Sequence, residues 1–81
     1  MTTGLAPTWL RVTTTDWIDD TGAMRRVVDL RDDHDKILAQ SLDLTVSEFC
    51  ARILPQHGAS VFMLTAVEPP LGRAHAWRVL T

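Results

Sequence analysis

Apolar residues recur with a helical period over residues 44–58, LTVSEFCARILPQHG. Val46, Phe49, Cys50, Ile53 and Leu54 stand at offsets of 3, 4, 7 and 8 and share one face. Thr45 and Glu48 form a capping-box pattern at the start, each side chain able to accept the other's orphan backbone N–H. Leu44 and Phe49 have the spacing of a hydrophobic staple, and Glu48 precedes Arg52 by four residues, the better order for a surface pair. Pro55 disfavours helical geometry at Leu54, and Gly58 can supply a left-handed exit. A short helix with one apolar side needs a sheet to bury that side.

The remaining segments read as strands. Residues 8–18, TWLRVTTTDWI, are rich in β-branched and aromatic side chains. Alternation puts Trp9, Arg11, Thr13, Thr15 and Trp17 on one face, and Leu10, Val12, Thr14 and Ile18 on the other, which is the expected core face. Residues 19–22, DDTG, make a turn. Residues 24–31, MRRVVDLR, form a second strand, with Met24, Val28 and Leu30 on one face, paired to the first as an antiparallel hairpin. After the polar break at residues 32–35, residues 37–44, ILAQSLDL, fit a strand through Leu38, Leu42 and Leu44, with Gln40 the exception. They also suit a helix through Ile37, Leu38, Ser41 and Leu42. The strand is preferred because the next helix starts with its own cap at Thr45. Residues 60–68, SVFMLTAVE, are almost continuously apolar and predict a central strand buried on both faces. Residues 69–72, PPLG, form a turn, and residues 74–80, AHAWRVL, a last strand at a sheet edge.

The order is β-β-(β)-α-β-β. It predicts one small α+β domain over residues 1–81: an antiparallel or mixed sheet with one helix packed on one face, and residues 1–7 as a loose end. Net charge is −2, so no overall field draws the chain to nucleic acid or to an anionic membrane. The acids cluster early, with eight against five bases in residues 1–44 and two against three in residues 45–81. A single cysteine excludes an internal disulfide and fits a reducing compartment. With no signal-peptide pattern and no long apolar run, the expected location is the cytoplasm.

Candidate chemistry is sparse. Asp29, Asp32, Asp33, His34 and Asp35 could offer oxygen and imidazole ligands, but the calcium-loop spacing fails: Ile37 stands where the sharp-turn glycine belongs. A solvated turn is the expectation. Cys50 and His57 carry the equipment of a cysteine nucleophile, yet Cys50 falls on the apolar helix face, where cysteine behaves as a small hydrophobe. Catalytic residues, metal ligands and cofactor-binding residues are therefore all expected to be none. Arg73, His75, Trp77 and Arg78, with Arg25 and Arg26, could hold nucleic acid, but Trp77 and Arg78 alternate to opposite faces. The tryptophans are the best remaining lead. One helix can cover only one face of the sheet, which leaves Trp9 and Trp17 for either the core margin or a partner. The expected function is a small non-catalytic protein-binding module, a regulator or inhibitor of a larger host complex. Its contacts would be Trp9, Arg11, Trp17, Trp77 and Arg78, made to another protein or to a second copy. A nucleic-acid-binding accessory protein is the alternative, and a small enzyme or enzyme subunit the second alternative.

Overall fold

The computed structural model describes residues 9–60 and 63–79. The expectations for residues 1–7, for the start of the first strand at residue 8, and for positions 61, 62, 80 and 81 lie outside them. Strands β1 (Leu10–Ile18), β2 (Met24–Arg31), β3 (Ile37–Leu42), β4 (Leu64–Val67) and β5 (His75–Val79) form one sheet in the order β3-β2-β1-β5-β4. Every pairing in it is antiparallel. Helix α1 (Val46–Ile53) packs on one face, making the α+β domain that the element order implies.

The β1–β2 hairpin is closed by Asp19. Its Oδ1 accepts hydrogen bonds from the Thr21 N–H, the Thr21 hydroxyl and the Ala23 N–H, and Gly22 takes a φ of 84°. Helix α1 starts at Thr45 with both halves of the capping box formed. Phe49, Cys50 and Leu54 are fully buried against Leu10, Val12, Val28, Leu30 and Val79, so the core lies between α1 and the face that carries Leu10 and Val12. Pro55 does not push Leu54 out of helical geometry. It begins a 3-10 turn over Leu54–His57, where its missing N–H costs nothing, and Gly58 then exits with φ 74°.

Three strand expectations are corrected. Residues 37–44 do contain a strand, but Leu42 points away from the core and is 55% exposed. A register shift opposite Leu30 and Arg31 puts both Leu38 and Ala39 against the core, which breaks simple alternation. Strand β4 is not central: it is a four-residue edge strand with only Leu64 packed inward. Its apolar letters are mostly small or outward-facing. Strand β5 is the interior one, because nine-residue β1 has room for β2 along one side and β5 along the other. Among the described residues β5 reaches β1 only from Leu10 to Thr14, and β3 reaches β2 only from Val27 to Arg31. The hairpin end therefore projects past both neighbours, exposing Trp17, Ile18 and Met24. No helix among the described residues is long and apolar enough to cross a membrane.

Candidate functional site

The face of the sheet without the helix carries a row of arginines that only the strand register reveals. Arg11 on β1 stands opposite Arg31 on β2 and opposite Arg78 on β5, so guanidinium groups from adjacent strands lie side by side. Like charges directly opposed in a sheet repel, and the protein resolves the two contacts differently.

Between Arg11 and Arg31 the answer is a carboxylate. Asp35, in the β2–β3 loop, accepts from Arg11 Nη2 at 2.7 Å and lies 3.3 Å from Arg31 Nη1. It gets there by a left-handed turn: Asp35 has φ 64°, and the Asp32 carboxylate holds the loop by accepting the His34 and Lys36 N–H groups. Burial works against ionisation of Asp35, but the Arg11 hydrogen bond and the Arg31 charge outweigh it and hold the carboxyl below the usual aspartate range. Between Arg11 and Arg78 the answer is an aromatic ring. Trp9 holds the Arg78 guanidinium carbon 5.0 Å and that of Arg11 5.6 Å from its centroid, both within cation–π range. Arg11 Nε is buried with no hydrogen-bond acceptor among the described residues, so Asp35 and the ring carry its compensation.

A second row lies beneath. Asp29, only 2% exposed, accepts the Thr13 hydroxyl at 2.5 Å and both Nε and Nη2 of Arg31, at 3.1 and 3.3 Å. Thr13 and Asp29 are register partners, and Thr13 also faces Ala76 on β5. The hydrogen bonds that Arg31 donates to Asp29 raise its guanidinium above the ordinary arginine value, with burial opposing. The result is a buried polar layer with its carboxylate satisfied, the condition under which an internal charge is tolerated.

The residues named from sequence are thus sorted. Trp9, Arg11 and Arg78 come together on the helix-free face. Trp17 shares that face, 39% exposed, but sits toward the hairpin end opposite Arg25. Trp77 is on the other face, paired with Val12 and packed against the core, with His75 beside it. Arg25 is held by Asp43 and Asp19, and Arg26 by Asp16. Cys50 is buried, which pushes its thiol up, and His57 is exposed. Among the described residues no group of three or more His, Cys, Asp or Glu could hold a metal ion. Sequence reasoning missed Arg31 and Thr13, and it weighed Asp29 and Asp35 only as turn residues or metal ligands, not as partners of the arginines. Its one available signal was Arg at positions 11, 31 and 78, each at a polar position of its strand. No family model matches the chain, and neither curated proteins nor solved structures give a match.

Proposed function

We propose that this chain is a small, non-catalytic, cytoplasmic protein-binding module that acts as a regulator or inhibitor of a larger complex. It would engage its partner through the helix-free face at Trp9, Arg11 and Arg78. The observation that carries this reading is Trp9: a large aromatic on the sheet face opposite α1, stacked with two arginines, one of them solvent-exposed. Tryptophan and arginine are the residue types most enriched among energetically dominant interface positions. Trp17, further along the face, is a second contact, whereas Trp77 contributes through the core. The nucleic-acid alternative loses support because Arg25 and Arg26 are engaged by carboxylates, and a phosphate backbone needs several free cations at once. The buried single thiol fits a reducing compartment.

The test is affinity capture from the native host after nuclease treatment, with wild type compared to Trp9→Ala and Arg52→Ala. A protein retained by wild type and Arg52→Ala but lost with Trp9→Ala supports the reading, provided that all three proteins unfold cooperatively. Equal capture by all three, or recovery of nucleic acid alone from an untreated extract, removes it.

A further inference from the structure

We infer that Arg78 is the docking point for a carboxylate side chain on an acidic segment of a partner protein, with Trp9 as the platform that holds the guanidinium ready for it. This rests on the helix-free face being the binding surface. The charges along the row are unequal. Arg31 and Arg11 each have a carboxylate within 3.3 Å, supplied by Asp29 and Asp35. Arg78, the third member, has no carboxylate partner among the described residues. Among the described residues, three cations against two carboxylates leave the cluster one positive charge in excess, and that charge sits on the exposed member.

The geometry favours a single carboxylate over a polyanion. Arg78 is stacked on Trp9, so part of the side-chain entropy that binding would otherwise cost is already lost, while its planar donors match a carboxylate bidentately. Thr65 stands opposite Arg78 on β4 and is exposed, placing a hydroxyl beside the same spot. Asp35, 56% exposed, lies on the far side of Arg11 and would repel a phosphate chain laid along the row. One excess charge suits one Asp or Glu side chain, and the Trp9 ring offers apolar contact to the residues that flank it.

The experiment is a side-chain NMR titration of the full chain with an end-capped peptide alternating glutamate and alanine. The same peptide with glutamine in place of glutamate and inorganic phosphate serve as comparisons. The glutamate peptide should shift the Arg78 Nε–H and Trp9 indole N–H signals and leave those of Trp77 unmoved. Arg78→Ala should weaken it about tenfold or more, the loss of a charge-assisted bidentate contact, with Arg78→Lys in between and Arg52→Ala unchanged. The inference is overturned if the glutamine peptide or phosphate shifts Arg78 as readily, if Arg52→Ala weakens binding as much as Arg78→Ala, or if the signals move with protein concentration alone, which would put a second copy on the face. A silent titration combined with partner capture that still depends on Trp9 overturns the carboxylate and leaves the binding face standing. Loss of both removes the face as well.

Discussion

Thr13 and Thr14 are neighbours in β1, both fully buried, and they point to opposite faces of the sheet. The Thr13 hydroxyl donates to Asp29, whereas the Thr14 hydroxyl, on the helix-covered side with Leu10 and Val12, has no hydrogen-bond partner among the described residues. The two faces differ in the same way throughout. The covered face is held by non-directional apolar burial under Phe49 and Leu54, and it tolerates an imperfectly matched group. The face opposite α1 is held by directional contacts among Thr13, Asp29, Arg31, Asp35 and Arg11, where each group depends on its partners being in place. A face of the second kind keeps polar groups near its surface, and so it can be completed by another molecule.

The largest expected effect tests the covered face. Phe49→Ala removes a fully buried ring from the centre of the helix–sheet contact and should cost about 3–5 kcal/mol. That is most of the stability of a domain of this size. Urea unfolding measures it, and a cooperative transition shifted only slightly would show that the core is distributed away from α1.

Next in size is the directional pair on the other face. Arg31→Ala leaves Asp29 almost fully buried without its counter-charge and should cost about 3 kcal/mol. The combined change Asp29→Leu with Arg31→Met should cost much less than the single one, since it removes the stranded charge along with its partner. A strictly additive double-mutant cycle would mean that Asp29 and Arg31 do not depend on each other and that this face is not held by directional pairing.

The two faces differ in how far each is legible in the sequence. The helix face and its cap at Thr45 and Glu48 were legible because a helix sets contacts within one turn, and the offsets of Val46, Phe49, Cys50, Ile53 and Leu54 state them. The hairpin was legible from its turn residues, and the polar face of β1 from alternation. The arginine row was not legible. It depends on which residue of β1 stands opposite which residue of β2 and β5, and a slip of one residue would send every side chain to the other face. Asp35 reads as a turn residue or a weak metal ligand, since nothing local says that the turn swings it back over Arg11. Strand position failed for a related reason. An unbroken apolar run predicts burial on both faces, but β4 has one neighbour and mostly short side chains, and so sits at the edge.

The two buried threonines separate the faces at smaller magnitude. Thr13→Val deprives a buried carboxylate of a donor and should cost about 2 kcal/mol. Thr14→Val keeps nearly the same shape, removes an unsatisfied hydroxyl and should gain about 1 kcal/mol. Equal changes of one sign in thermal or urea unfolding would mean that the hydroxyls are not what separates the faces.

The smallest effect is expected at Asp35, where the directional network meets solvent. Its carboxylate is more than half exposed, so its bridges to Arg11 and Arg31 are screened and together contribute about 0.5–1 kcal/mol at neutral pH. The sign of the pH dependence follows from the direction of its shift. Asp35 titrates lower in the folded protein than in the unfolded chain, so its contribution is present above the ordinary aspartate range and disappears as pH falls through the folded value. Asp16, Asp19, Asp43 and Glu48 are shifted the same way, mainly by hydrogen bonds from Arg26, Thr21, Arg25 and Thr45 respectively, and lose their contributions in the same acidic window. Asp35→Asn keeps a residue that tolerates the left-handed backbone while removing the charge. The variant should therefore unfold slightly more easily than wild type from neutral pH down to about 5, with the difference shrinking below about pH 4 as wild-type Asp35 takes up its proton. Urea midpoints across that range measure the difference. A gap that stays constant into acid would mean that Asp35 acts by holding the shape of the turn, and the guanidinium pair would then need another source of neutralisation.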